Sequence, residues 1–291
     1  MKVTGFTFIR NAVINDYPIV EAINSVLPLC DEFIIAHGNS TDDTLKLIEN
    51  ISPKVRIINT VWDDSLREGG RTFALETDKA FRAISEDSDW AFYIQGDEVI
   101  HEKYYEIIRK EMEISLNDKN IEGLLFKYLH FYGSYDYFAS SRRWYRKEIR
   151  ILKNLKGISS YKDAQGFRIN NRKVKVKEID AYIYHYGWVK PPEGLNNKVR
   201  NFNKFYHDDE WIEDHIPKAE KFDYGNADEL NKFNLTHPVS IQERITNTNW
   251  EFSIDPTKIK KKLSVRRRFL KWLEDSTGYR PFEYKNYNKI R

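Results

Sequence analysis

The stretch Phe92–Ile100, FYIQGDEVI, continues an apolar run that begins at Trp90 and Ala91, and it breaks at Gly96 before two adjacent carboxylates, Asp97 and Glu98. A short apolar run bounded by glycine reads as a buried strand. If residues 90–94 form that strand, Gln95 to Glu98 lie at its carboxyl end, where doubly wound sheets bind their ligands. Alternation along a strand sends Gln95 and Asp97 one way and Glu98 the other, unless the turn at Gly96 brings both acids to one point. Two roles are open to the acids. They can cap and charge-stabilise a following helix, or act as hard oxygen ligands that hold Mg²⁺ or Mn²⁺ beside substrate phosphates.

Working outward, the first half alternates between two patterns. VTGFTFI (3–9), EFIIA (32–36) and VRIIN (55–59) are β-rich, while residues 16–26, STDDTLKLIENI (40–51), 70–84 and 101–115 read as helices. Strands separated by helices imply βαβ units and a parallel sheet. The middle differs: 122–133, 142–154 and 172–188 read as strands with few helices between them, which predicts a mixed or antiparallel extension. From Pro191 onward the pattern is helical and polar. The predicted fold is α/β, a Rossmann-type, mostly parallel central sheet with helices on both faces, a mixed-sheet region and a helical C-terminal extension. The boundaries fall at 1–118, 119–190 and 191–291.

Composition narrows the class. The 291 residues are 41% hydrophobic and 31% charged, ordinary for a globular protein and too apolar for disorder. The single cysteine, Cys30, permits neither an internal disulfide nor a cysteine zinc site, which fits a reducing compartment. Arg10 and Asn11 interrupt the apolar start that a signal peptide needs, and no apolar run is long enough to span a bilayer, so a cytoplasmic protein is expected. Net charge is +3, but residues 258–272, KIKKKLSVRRRFLKW, hold eight basic residues and no acid. The remainder is therefore net acidic, which argues against nucleic acid as a partner. Ile259, Leu263, Phe269, Leu270 and Leu273 approximate an apolar stripe beneath that charge. Such a helix lies either on an anionic membrane surface, here the inner face, or against the acidic body.

AHGNSTDDT (36–44) again follows a strand directly. Ser40 and Asp43 form a capping pattern, and the same helix start suits the phosphates of a nucleotide. A strand, then NSTDDT, then a strand ending in GDE some fifty residues on resembles the family 2 glycosyltransferases of the GT-A fold. The bacterial branch that builds lipopolysaccharide and other surface glycans, with D-x-G-S-T-D-D-T and L-D-A-D-E, is the nearest in pattern. FTFIRN (6–11) resembles the opening strand of such enzymes, and GGRTFALETDKAF (69–81) their segment carrying a basic residue toward the nucleotide. The resemblance covers 3–115 well and 120–188 loosely. His37 stands where the family usually has Asp, and Gln95 where the first acid of its D-x-D stands. Asp97 keeps the last position of that motif.

The resemblance implies a GT-A-like glycosyltransferase that moves a hexosyl or related sugar from a nucleoside-diphosphate sugar to a hydroxyl of a glycan or lipid-linked acceptor. Transfer would be inverting and dependent on Mn²⁺ or Mg²⁺, with 1–118 binding the nucleotide sugar and 119–190 the acceptor. The implied donor-binding residues are Arg10, Asn11, His37, Asn39, Asp42, Arg71, Gln95, Gly96 and Asp97. Asp97, Glu98 and His185 of YIYHYGW are the implied metal ligands. Asp163 of SSYKDAQGF is the candidate catalytic base, with Asp136 and Glu148 as competitors, and Arg142, Arg143 and Arg146 are further cations. The departures at His37 and Gln95 also admit a nucleotide-sugar-binding protein without catalysis. A nucleotidyltransferase would show a glycine-rich start, which FTFIRNAVIND lacks.

Overall fold

The computed structural model describes residues 1–216, 229–252 and 264–290. Strands β1 (Val3–Ile9), β2 (Glu32–His37), β3 (Val55–Asn59) and β4 (Trp90–Tyr93) are all parallel and pair in the order β3-β2-β1-β4. Helices α1 (Ile19–Val26), α2 (Thr44–Glu49) and α3 (Arg71–Arg82) connect them, and α4 (Tyr105–Ser115) follows. Apolar residues line both faces of the sheet because helices cover both. On one face Ile23 and Val26 of α1, Ile48 of α2 and Ile108 and Met112 of α4 pack with Phe33, Ile35 and Phe92. On the other, Phe73, Ala80 and Phe81 of α3 pack with Phe6, Ile34 and Tyr93. This is the Rossmann-type α/β arrangement, with helices on both faces of a parallel sheet, that the sequence predicts. The order of connection reverses between β1 and β4, the point where such sheets open a ligand crevice.

The middle of the chain contributes β5 (Glu98–Ile100), β6 (Gly123–Tyr132), β7 (Ser134–Ala139), β8 (Lys147–Lys153), β9 (Ile158–Tyr161), β10 (Gly166–Ile169), β11 (Arg172–Lys173) and β12 (Lys175–Trp188). β8 joins the sheet antiparallel to β4, and β6 lies antiparallel to β8. β12 runs parallel to β6 and antiparallel to β5, and β9, β10 and β11 form a small separate sheet. The mixed extension is thus as expected, although the region read as a strand over 142–154 pairs only from Lys147, and the β9–β10 hairpin within SSYKDAQGF is new. Beyond Pro191 come α5 (Pro192–Asn203), α6 (Asp209–His215), β13 (Leu230–Lys232) on the edge of β7, α7 (Gln242–Thr246), α8 (Val265–Thr277) and β14 (Asn288–Lys289) beside β12.

The two adjacent acids start a strand, not a helix. Glu98 opens β5 and pairs in register with His185 of β12, while α4 begins seven residues later. Alternation holds, so Glu98 turns inward. Its side chain has no exposed surface, and that of Arg150 is 1% exposed. Arg150 donates from Nε to Oε2 at 2.7 Å and from Nη2 to Oε1 at 2.6 Å. Tyr128 Oη donates to Oε1 at 2.7 Å and the Gln95 amide to Oε2 at 3.1 Å. A buried pair of this kind survives only when both partners are present and their remaining hydrogen-bonding capacity is met.

Two outcomes follow for stability. Arg150→Met strands a buried carboxylate and costs about 3–5 kcal/mol in urea unfolding, whereas Glu98→Leu combined with Arg150→Met costs less than Arg150→Met alone. Glu148, also buried on β8, has its carboxyl pushed from 4.5 up to about 8 by burial, which outweighs the opposing Arg150 charge. The folded chain then holds a proton that the unfolded chain has released, so stability drains away as pH rises from about 4.5 to about 8. Glu148→Gln removes that drain, and its melting temperature gains on the parent chain between pH 5 and pH 8.

Candidate active site at the carboxyl ends of β1 and β4

A cleft of about 600 Å³ opens where β1 and β4 end, lined by Ile9 at the end of β1, Arg10 and Asn11 just after it, and Gln95, Gly96 and Asp97 after β4. A second lobe of about 410 Å³ shares Gln95, Asp97, Asp163, Lys198 and Phe202, and adds Tyr145, Gln165, His185 and Trp188. Clefts of this size hold a nucleotide-sized ligand.

Asp97 stands at the junction of the lobes. Its backbone carbonyl accepts from the Tyr186 amide at 2.8 Å, which ties it to β12. Lys198 Nζ of α5 donates to Asp97 Oδ2 at 3.0 Å, and His185 Nε2 lies 3.7 Å from the same oxygen. Burial pushes the Asp97 carboxyl upward, but Lys198 and then His185 outweigh it and hold the group well below the usual carboxylate range. Gly187 is a glycine because of this crowding. A Cβ there would lie 2.6 Å from Asp97 Oδ2 and 2.8 Å from both His185 Nε2 and Lys198 Nζ.

The orientation of His185 is set from behind. Its Nδ1 is 3.1 Å from Nδ1 of buried His130, whose Nε2 is 2.7 Å from the Tyr145 carbonyl. A carbonyl only accepts, so His130 carries its proton on Nε2. Burial, then the neighbouring His185, lower His130 well below the ordinary histidine range and keep it neutral. Neutral His130 therefore accepts at Nδ1 and His185 donates from Nδ1, which leaves His185 Nε2 as the ring nitrogen turned toward Asp97.

This donor set fits a divalent cation with two protein ligands, Asp97 and His185. Magnesium-type sites commonly use one or two carboxylates and complete their shell with substrate phosphates and water. Among the described residues no three His, Cys, Asp or Glu side chains gather as a metal cluster. The expectation that Glu98 is a third ligand is corrected, because both of its oxygens are committed to Arg150, Tyr128 and the Gln95 amide.

Three cations of the cleft wall are paired with acids. Arg10 pairs with Asp64, Arg67 with Asp209 at 2.8 Å, and Lys198 with Asp97. Beside them Phe8, Trp62, Phe73, Phe202 and Phe205 form an aromatic wall. Ring centroids are 4.7 Å apart for Phe73 and Phe205, and 5.5 Å for both Trp62–Phe205 and Phe73–Phe202. Arg10 lies over Trp62 at 5.6 Å. Asp163 lines both lobes, and its Oδ2 accepts from Tyr206 Oη at 2.9 Å.

Of the residues singled out from sequence, Arg10, Asn11, Gln95, Gly96, Asp97, Asp163 and His185 meet in the two lobes. Four others do not line them. His37 is buried, with Nδ1 3.0 Å from Asn59 Oδ1 and Nε2 3.1 Å from Ser40 Oγ. Asn39 accepts from the Trp62 amide at 3.1 Å. Asp42 accepts from the Ile14 and Thr44 amides at 2.9 and 3.0 Å, and so anchors the loop after β1 and the start of α2. Arg71 is exposed at the head of α3 and does not line the cleft, whereas Arg10 and Arg67 do. Arg142 and Arg146 pair with Glu274 and Glu283, Arg143 and Asp136 are exposed, and Glu148 lies within the sheet. Lys198, Arg67, His130 and the aromatic wall escape the sequence reading. The helical spacing of Leu195, Lys198 and Phe202 marks one face of α5, but nothing local says that this face closes over Asp97.

No protein-family model matches the chain, and no curated protein does. Solved structures are similar to it. One is S. aureus TarS, 18% identical over 69% of this chain and 39% of that one, with a TM-score of 0.39. Another is glucosyl-3-phosphoglycerate synthase from Mycobacterium tuberculosis in complex with Mn²⁺, uridine diphosphate and phosphoglyceric acid, 20% identical over 45% of this chain and 43% of that one, with a TM-score of 0.31. A third is 4-diphosphocytidyl-2C-methyl-D-erythritol synthase from Anaerococcus prevotii, 13% identical over 69% of this chain and 96% of that one, with a TM-score of 0.39. The chain spans about two fifths of the length of the first two. The similarity concerns the α/β fold alone.

Proposed function

We propose that the chain transfers a sugar from a nucleoside-diphosphate sugar to a hydroxyl of a glycan or lipid-linked acceptor, with inversion. One observation carries this reading: Asp97, His185, Lys198 and Asp163 converge in one two-lobed cleft beside an aromatic wall. The wall offers a stacking surface for a nucleoside base, and Arg10, Arg67 and Lys198 offer cations to a diphosphate. The second lobe, with Tyr145 and Trp188, gives the acceptor its own approach. A divalent cation held by Asp97 and His185, Mn²⁺ or Mg²⁺, would offset the negative charge of the departing diphosphate.

Asp163 stands where both lobes meet and serves as the base that takes the acceptor proton as the hydroxyl oxygen attacks the anomeric carbon. Tyr206 donates to one of its oxygens, fixing the carboxylate's direction and leaving the other oxygen for the acceptor. The bond from the anomeric carbon to the diphosphate breaks on the opposite side through an oxocarbenium-like transition state. Asp163→Asn therefore lowers kcat by about 10²–10⁴-fold with little change in donor KM. Asp97→Asn removes turnover while the chain still folds, in a transfer assay run over a panel of nucleotide sugars with Mn²⁺ present. A nucleotide that binds the parent chain without turnover against any donor would favour the non-catalytic reading instead.

The acceptor's nature bears on α8. Its Lys271 and Glu274 pair with Glu229 and Arg142, so the polar side of the helix faces the body. Val265, Phe269 and Trp272 point outward, 83%, 58% and 61% exposed, beside exposed Arg266 and Arg268. Residues 258–263 of the basic segment lie outside the described residues. Among those described, no helix is long and apolar enough to cross a membrane. Outward apolar residues flanked by arginine suit the surface of an anionic bilayer. The full chain accordingly floats with phosphatidylglycerol vesicles and not with phosphatidylcholine vesicles, and Phe269→Ser with Trp272→Ser abolishes flotation.

A further inference from the structure

Asp97 Oδ2 is approached by two groups at once. Lys198 donates to it at 3.0 Å, and His185 offers Nε2 at 3.7 Å. The Lys198 ammonium is held in place: it also donates to the Gly187 carbonyl at 2.8 Å and lies 5.2 Å from the centre of the Tyr17 ring. Its side chain is 13% exposed, and it lines both lobes of the cleft. Two of its three N–H bonds are thus directed at protein oxygens, and the third is available to a ligand in the cleft.

A divalent cation on Asp97 would share one carboxylate oxygen with this ammonium, and like charges that close repel strongly in a poorly solvated site. With only two protein ligands to offer, Asp97 and His185 hold such a cation weakly on their own. A nucleoside diphosphate changes both terms. Its oxygens complete the cation's shell, and they accept charge-assisted hydrogen bonds that let the ammonium exchange Asp97 for phosphate while keeping Gly187.

We propose that Lys198 is a built-in counter-ion that competes with a divalent cation for Asp97, so that the cation binds together with the nucleoside diphosphate and not ahead of it. This rests on the donor reading given above and assigns to Lys198 the coupling between the two ligands. Linkage makes the coupling reciprocal: the diphosphate raises cation affinity by the same factor as the cation raises diphosphate affinity.

The test is titration of the full chain with Mn²⁺, following free Mn²⁺ by electron paramagnetic resonance and correcting for the Mn²⁺–nucleotide complex in protein-free solution. For the parent chain, saturating UDP (with GDP, CDP and dTDP as alternatives) tightens Mn²⁺ binding about tenfold or more. Without nucleotide, Lys198→Met binds Mn²⁺ about tenfold or more tightly than the parent chain, and its gain on adding nucleotide shrinks. Asp97→Asn in the Lys198→Met background erases the tighter binding. Lys198→Gln repeats the comparison if the methionine variant fails to fold. The proposal is overturned if Lys198→Met binds Mn²⁺ no better than the parent chain while nucleotide still tightens the parent, a result that leaves the donor reading standing. If Lys198→Met tightens Mn²⁺ binding yet no nucleotide affects either protein, competition at Asp97 holds, and the nucleotide coupling falls with the donor reading.

Discussion

Glu98 has no contact with solvent, and the guanidinium of Arg150 grips both of its oxygens from the neighbouring part of the sheet. A carboxylate so placed is tolerable only beside its partner, which makes the strand that carries it hard to shift in register. Everything at the cleft depends on that register. With Glu98 turned inward, Asp97 projects from the carboxyl end of the sheet, and pairing of β5 with β12 sets His185 opposite Glu98 and its Nε2 3.7 Å from Asp97 Oδ2. The adjacent acids thus part company: one is locked into the scaffold and the other lines the cleft.

The remaining parts of the cleft come from distant segments that share little sequence proximity. The segment after β1 supplies Arg10 and Asn11, the hairpin of β9 and β10 carries Asp163, and α5 brings Lys198 and Phe202 back over the sheet. His130 on β6 contributes from behind by setting which nitrogen of His185 faces Asp97. Paired charges across the wall hold Arg10, Arg67 and Lys198 in place.

The parallel half of the fold was legible because its strands and helices carry clean apolar periodicity, as in VTGFTFI and in Ile19, Ile23 and Val26 of α1. Asp97 was legible for a positional reason, since a polar cluster ending a buried strand has to lie at the sheet's edge. Glu98 misled because adjacent acids look alike in one dimension, and only the buried Arg150, fifty-two residues on, separates their fates. His37 misled in the same way: its partner Asn59 sits on the neighbouring strand, in register with it. Lys198 stayed hidden among the many polar residues after Pro191. A lysine on an amphipathic helix looks solvated until the helix is folded back onto the sheet.

We propose that Asp97 marks where the donor's diphosphate binds. A crystal structure of the full chain with UDP and Mn²⁺ tests it most directly. It predicts the diphosphate against Asp97, His185 and Lys198, with the base on the wall formed by Phe8, Trp62 and Phe202. Nucleotide bound elsewhere, with the Asp97–Lys198 pair undisturbed, would contradict it.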